Sequence, residues 1–226
     1  MTFWKKWFAS PKDHPELVQR YLQAFAQKIP RPTPLNQLRF VVFDTETSGL
    51  DPHKASLLSL GAVVVQNACI RINESLEVTA FAPAATLGDN IAIHGITRGE
   101  LQEGVKEEEI LQHWLDFTGN AVLVAHHAAF DLAVLNRISK KYYGVRLKNP
   151  VLDTAYLAKR LEHGTRLDEY IKPEDYSLDR LCDRYHIPPD DRHTAAGDAF
   201  ITAQLLLKLL ANARKKGIRS YSDLLR

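Results

Sequence analysis

Asp44 and Glu46 stand two positions apart in the run Phe43-Asp44-Thr45-Glu46-Thr47-Ser48-Gly49-Leu50. The residues leading to them, Leu38-Arg39-Phe40-Val41-Val42-Phe43, read as a strand whose centre is apolar on both faces, as in strands covered on two sides. Strand period turns both carboxylates to one face. Their place is the strand's C-terminal end, where open α/β sheets bind ligands. Two like charges there repel, and a bound cation relieves them. Hard carboxylate oxygens without nearby thiols select Mg²⁺ or Mn²⁺ over zinc. A second cluster is Ala125-His126-His127-Ala128-Ala129-Phe130-Asp131. It follows a short apolar strand and opens a helix, with Asp131 in the first turn, where the helix dipole also favours an acid. A third is Arg192-His193-Thr194-Ala195-Ala196-Gly197-Asp198-Ala199, at the start of a long helix. Its small residues let that helix end press closely on the sheet, which offsets the roughly 1 kcal/mol a helical glycine costs. His193, titrating near neutrality, can accept the proton of a water held near Asp198. Each cluster alone has a plain reading as a capping acid, a dipole-matched acid or a loop histidine. Together they point to metal-assisted chemistry.

The elements that must position these residues follow from periodicity and punctuation. Pro15 to Ile29 predicts an amphipathic helix, with Leu17, Val18, Tyr21, Leu22, Phe25 and Ile29 at helical spacing, and Pro30–Pro34 a stiff linker. Strands are expected at Leu38–Asp44 and Leu57–Val65, with a third strand or hairpin near Cys69–Ile72 and Leu76–Phe81. A loop through Pro83, Gly88 and Gly95 precedes a helix over Val105–Phe117. Then come a strand at Ala121–Ala125, a helix over Ala129–Lys141, and a strand at Val151–Thr154 leading into a helix to about Glu162. A polar loop runs to Pro173. A helix capped by Ser177 ends near His186, and a final helix spans Ala195–Lys215. Strands first, then strands alternating with helices, argue for an α/β mixed sheet flanked by helices on both faces. Residues 1–37 form an N-terminal helical extension with its proline-rich linker, and 38–226 the main domain.

Composition narrows the class. The 226 residues are 45% hydrophobic and 25% charged, ordinary globular values that exclude collagen-like, disordered and disulfide-scaffold chains. No apolar run approaches the roughly 20 residues of a membrane span. Cys69 and Cys182 form no metal-type pair, which fits a reducing, cytoplasmic location. The net charge of +2 hides an asymmetry. Residues 1–39 carry seven Lys/Arg against two Asp/Glu, and residues 208–226 six against one, while the stretch between is acidic, sixteen against twenty-four. Basic ends around an acidic body suit a polyanion held over carboxylates that metal ions partly neutralise, or else an ordinary solvated surface. Phe3, Trp4, Trp7 and Phe8 beside Lys5 and Lys6 make an aromatic patch able to dock on the body, a partner or a membrane surface.

In order and composition the three clusters resemble the DnaQ-like DEDDh family of 3′–5′ exonucleases. The family's first motif, Asp-x-Glu, matches Asp44 and Glu46. Its second, a histidine and asparagine with a downstream Phe-Asp, matches His126 and Phe130-Asp131. Its third, His-x-Ala-x-x-Asp-Ala, matches His193, Ala195, Asp198 and Ala199. Ile93-His94-Gly95-Ile96-Thr97 looks like the family's His-Gly-Ile-Thr loop, and Asp153-Thr154 and Ser177-Leu178-Asp179-Arg180-Leu181 like later landmarks. The resemblance covers about residues 38–210. One departure stands at His127, where the family usually has asparagine; the two offer donors and acceptors in different places.

The resemblance implies a ribonuclease H-like fold and hydrolysis of phosphodiesters from a 3′ end, releasing nucleoside 5′-monophosphates. It assigns Asp44, Glu46, Asp131 and Asp198 to two divalent ions, Mg²⁺ or Mn²⁺, about 3.5–4 Å apart, and His193 to the water's proton. Thr47, Leu50, His94, Ile96 and His127 would contact the terminal nucleotide or backbone. Single-stranded DNA is the expected substrate, since the chain is most similar to epsilon-type proofreading subunits of bacterial replicative polymerases; a role in proofreading or repair follows, with residues 1–37 as a tether to a polymerase or other protein. An RNA-trimming or oligonucleotide-degrading exoribonuclease and a catalytically silent nucleic-acid-binding adaptor on the same fold are the alternatives.

Overall fold

The run Phe40-Val41-Val42-Phe43 is apolar at every position, and in the computed structural model it is the centre of the molecule. The structure describes residues 14–82, 95–164 and 171–224. The aromatic patch at 3–8 and His94 lie outside the described residues. Strand β1 (Phe40–Thr47) pairs antiparallel with β2 (Leu57–Gln66) on one side and parallel with β4 (Val122–Ala125) on the other. With β3 (Cys69–Thr79) and β5 (Val151–Asp153) at the edges, the order is β3-β2-β1-β4-β5, a mixed sheet. The third strand is one continuous element rather than two pieces. Asn67 and Ala68, with φ of 54° and 58°, close the β2–β3 hairpin in the doubly left-handed geometry its two-residue turn demands. A register jump from Val63↔Ser75 to Val64↔Arg71 leaves Ile72–Glu74 bulged and breaks up the exposed edge.

Two layers of helices cover the sheet, and the alternation of β1 assigns its residues between them. Phe40 and Val42, with Val122, Val124, Val63 and Val65, pack on one face. They meet α5 (Thr154–His163), α6 (Leu178–Tyr185) and the long α7 (Ala195–Lys215). Val41 and Phe43 face the other way, onto α3 (Glu107–Thr118) and α4 (Ala129–Tyr143), where Phe43 and Trp114 bring their rings to 4.9 Å. Trp114 is wholly buried; truncating it to alanine removes packing of about 3–5 kcal/mol. The parallel pairings put the C-terminal ends of β1, β4 and β5 at one end of the sheet. There α4 and α5 begin, and the start of α7 joins them.

A short helix, α2 (Arg98–Glu103), stands where only a loop is expected. Its signal is in the sequence: Thr97-x-x-Glu100 is a capping box, with Thr97 Oγ1 accepting from the Glu100 N–H and the Glu100 carboxylate accepting from the Thr97 N–H at 2.7 Å.

The first helix, α1, is Glu16–Ala24, shorter than the Pro15–Ile29 its periodicity suggests. Leu22 and Phe25 pack into the α3–α4 layer, whereas Ile29 packs into the layer of α5–α7. One straight helix cannot serve both, so the chain turns after Ala24. Residues 14–37 are laid against the rest of the molecule. Val18 and Tyr21 are buried, and the Tyr21 hydroxyl donates to Asn149 Oδ1 at 2.6 Å while accepting from the Lys148 N–H. The Pro30–Pro34 segment is not a free spacer. Thr33 and Arg31 carbonyls accept from the Tyr221 and Ser222 N–H groups, and Leu35 N–H donates to the Arg219 carbonyl, beside the small C-terminal helix α8 (Tyr221–Leu224). No helix of the described residues is long and apolar enough to cross a membrane.

Candidate active site

Asp44 and Glu46 share the face of β1 that bears Phe40 and Val42, so both point toward α7. Opposite Asp44 in the antiparallel pair stands Gly61. A Cβ there would lie 2.3 Å from the Ala195 carbonyl carbon and the Ala196 nitrogen, so the first turn of α7 rests directly on this glycine. Ala195 and Ala196 are thus the small residues that let the helix reach the sheet. Gly197 does something different: a Cβ on it would meet the Asp191 carbonyl oxygen at 2.0 Å. The loop before the helix folds back over its first turn, and Thr194 caps it, Oγ1 accepting from the Gly197 N–H at 3.0 Å.

That close approach lowers Asp198 onto the end of β1. One oxygen each from Asp44, Glu46 and Asp198 lie within 4.8 Å of one another. Burial, then the charges of Asp131, Asp198 and Glu46, hold the Asp44 carboxyl well above its ordinary range. Burial with Asp198 and Asp131 pushes Glu46 up to about 7. Half-buried acids that resist losing their protons this way are short of positive charge. Three hard oxygens at such spacing fit a divalent cation.

Asp131 stands beside this group rather than within it. Its Oδ1 accepts from the Thr45 N–H at 3.1 Å and from Thr45 Oγ1 at 2.6 Å, on the opposite face of β1 from Asp44. Burial raises it to about 6, and the Thr45 hydrogen bonds hold it below what burial alone would give. The turn that carries it is braced from β5. Asp153 accepts from the Ala128 N–H at 3.0 Å while capping α5, and Thr154 Oγ1 lies 2.9 Å from His126 Nδ1. His126 itself is driven down to about 4, by burial first and the His127 charge second, and its Nε2 is buried without a hydrogen-bond partner. It is a neutral part of the scaffold.

His127 has φ 59°. The left-handed region admits asparagine, aspartate and histidine far more readily than other side-chain-bearing residues. That explains why histidine can stand where asparagine is usual. Its ring is exposed and meets His126 edge to face at 4.5 Å. His193, also left-handed at φ 65°, is exposed on the loop before α7 and outside the carboxylate group. The Arg192 hydrogen bond, with the charge of the same guanidinium, holds the Asp179 carboxyl below its ordinary range.

The loop after β1 is fixed at its base. Ser48 N–H donates to the Ser56 carbonyl, Ser56 N–H to Ser48 Oγ, and Thr47 Oγ1 to the Gly49 carbonyl. From α4, Arg137 donates to the carbonyls of Pro52 at 3.1 Å and Ala55 at 2.6 Å. At its tip Leu50 is 93% exposed. Ile96 packs in a small cluster with Leu58 and Leu101. Gly61, Thr45, Arg137 and Arg192 have no role in the sequence reading. Thr45 and Arg192 lie inside the acid-bearing runs of the sequence, whereas Gly61 and Arg137 lie outside them. Gly61, the glycine of β2, carried the signal of a close backbone approach.

A mixed α/β sheet with acids gathered at the C-terminal end of its central strand suggests an enzyme that uses divalent metal, and comparison with known proteins gives the class. The model of the exonuclease family matches residues 41–206. The chain is 31% identical over 189 residues to the DNA polymerase III subunit epsilon of Aquifex aeolicus, covering 83% of this chain and 88% of that protein. It is 36% identical over 202 residues to a DNA polymerase III subunit epsilon-like protein of Rhodobacter capsulatus, and 34% over 186 residues to the PolC-type DNA polymerase III of Thermotoga petrophila. These matches cover 85% and 82% of this chain but only 27% and 13% of those longer proteins. E. coli exonuclease I, solved with a dT13 oligonucleotide, shares the fold with a TM-score of 0.61 at 16% identity, over 80% of this chain and 43% of that one. The cell-death related nuclease CRN-4 does so at 0.58 and 14%, over 78% and 64%. The chain belongs to the exonuclease family, and within it to the DnaQ-like 3′–5′ exonucleases its motifs resemble.

Proposed function

We propose that the protein removes nucleotides from the 3′ end of single-stranded DNA, releasing nucleoside 5′-monophosphates, with Asp44, Glu46 and Asp198 holding divalent ions and Asp131 completing the set. The observation that carries this reading is the convergence of the three carboxylate oxygens within 4.8 Å at the end of β1. Two ions, Mg²⁺ or Mn²⁺, would supply activation of the attacking water and charge neutralisation at the leaving oxygen. The chain's own residues do the rest. Thr45 orients Asp131. His193, on an exposed loop adjoining the helix of Asp198, takes the proton of the attacking water. Leu50, at the tip of a loop tied down at its base, gives an apolar contact to the terminal base; Thr47, Ile96 and His94 make further contacts to the nucleotide, and His127 meets the backbone. Stacking and backbone contacts of this kind tolerate sequence and suit an unpaired end.

DNA is favoured over RNA because the relatives carry the names of DNA polymerase III subunits and the structural neighbour was solved with a DNA oligonucleotide. The same names support work alongside a DNA polymerase, in proofreading or repair; the cytoplasm as its place and residues 1–37 as the contact to the polymerase belong to the same proposal. The test is digestion of 5′-labelled single strands of DNA and RNA with matched sequence. Shortening of the DNA from its 3′ end with Mg²⁺ or Mn²⁺, abolished by EDTA and by Asp44→Ala, is the expected result. Activity that survives both treatments overturns the metal assignment, and faster loss of the RNA strand overturns the choice of substrate. Retained DNA binding with no digestion under any ion is the outcome for a silent adaptor.

A further inference from the structure

Arg192 immediately precedes His193, and its side chain turns inward, 16% exposed. It joins two acids. Nη1 donates a short hydrogen bond to Asp198 Oδ1, and Nε donates to Asp179 Oδ1 at 2.7 Å. The two partners differ in setting. Asp198 is 10% exposed and belongs to the three-carboxylate group, whereas Asp179, at the start of α6, is 64% exposed. The guanidinium charge is also felt by Asp44 and Glu46. A guanidinium and a divalent cation are drawn to the same carboxylate and repel each other. The arginine therefore holds the acids together when no ion is present, and opposes an ion that arrives. Its second hydrogen bond gives it a resting place on the exposed acid when the first is broken, so the side chain need not leave the site.

We propose that Arg192 is a built-in counter-cation of the metal site: anchored by Asp179, it neutralises Asp198 in the ion-free protein and turns away from Asp198 when a divalent ion binds. The proposal rests on the divalent-ion reading above. It makes a prediction opposite to that of a purely structural arginine. Loss of a structural brace loosens the carboxylates and weakens ion binding; loss of a competitor tightens it.

The experiment measures Mn²⁺ binding to the full chain by calorimetry and by the electron spin resonance of free Mn²⁺, at low ionic strength. Arg192→Gln is expected to bind Mn²⁺ about tenfold more tightly, the size of one charge-assisted hydrogen bond removed from competition. In EDTA the same variant should melt at a lower temperature than wild type. Arg192→Lys, which keeps the charge, should stay nearer the wild-type affinity. Equal or weaker Mn²⁺ binding by Arg192→Gln overturns the proposal. If that variant does not fold, the wild-type protein decides: the side-chain N–H resonances of Arg192 should shift on titration with Mg²⁺, and unchanged resonances at saturation overturn the idea. Asp44→Asn separates the two readings. It should abolish Mn²⁺ binding, and if it does not, the metal site itself is wrong, whatever Arg192 does.

Discussion

Gly61 carries no chemistry, yet the geometry makes it a condition for the site. It sits opposite Asp44 in β2, and the backbone of Ala195 and Ala196 lies on it. In Gly61→Ala the new methyl would stand 2.3 Å from two backbone atoms and 2.4 Å from a third. None of these can swing aside as a side chain would, and ordinary contact starts at 3.4 Å. The start of α7 must retreat by about 1 Å, the scale at which catalytic groups lose on the order of 10²-fold in rate. The cost in stability is that of overpacking, about 1–3 kcal/mol, or a Tm lowered by roughly 2–12 °C for a chain of this size. Asp198 retreats with the helix while Asp44 and Glu46 stay on β1, so divalent-ion affinity should fall with the rate. Gly49→Ala is the control: nothing lies within 4 Å of the added methyl, so stability should change by less than about 0.5 kcal/mol. Thermal melts, Mn²⁺ titration and single-strand digestion of both variants test the argument. A Gly61→Ala protein with wild-type ion affinity, whatever its Tm, would refute the claim that this glycine sets the carboxylate spacing.

Three further outcomes follow from the site. Glu46 at about 7, like the raised Asp44, binds its proton more tightly in the folded state than in the unfolded one, so in EDTA it stabilises the fold below about pH 4.5 and loses that contribution as pH rises through 7. His126, lowered to about 4, acts in the opposite sense, so the check is the difference in Tm between wild type and Glu46→Gln across this range; a difference independent of pH contradicts the assignment. At position 127 the left-handed backbone should accept His127→Asn with stability unchanged, whereas His127→Val should lose about 1–2 kcal/mol in urea unfolding; equal stability of the two shows that φ does not select the residue. Leu50→Ala should leave Tm unchanged because the side chain is 93% exposed, and should raise KM for a single strand several-fold; an unchanged KM removes Leu50 from the substrate contacts.

The sequence announces what depends on local chemistry and withholds what depends on distant neighbours. The paired acids of β1, the bounds of α7 and the Ser177 cap are local, and the structure has them as expected. The Thr97–Glu100 capping box was equally local, and a helix follows it that composition alone disguised as loop. The end of α1 was not legible, because its apolar spacing runs on past Ala24 while the surfaces it packs against change. The acids themselves stand out by type, but the residues that place them do not. Thr45 reaches Asp131 across 86 positions and Arg137 ties down the Leu50 loop across 82 and 85. Gly61 meets Ala195 from the far end of the chain.

This division has a physical cause that bears on mechanism. An acid in the site must be an acid, whereas the condition on Gly61 is only that no Cβ be present, and on Asp153 that an acceptor face the Ala128 N–H. Such conditions leave little trace in composition or spacing. They nonetheless fix the distance between carboxylates that repel one another, and without an ion nothing in the acids themselves would keep them together. Burial and mutual charge push Asp44 and Glu46 toward their neutral forms, so the unaided cluster is under electrostatic strain. The fold resists that strain with backbone contact at Gly61, hydrogen bonds at Thr45 and the guanidinium of Arg192. The first two are indifferent to ions and the third is not. Weakening the first two should therefore degrade ion binding and stability together, and removing the third should drive them apart.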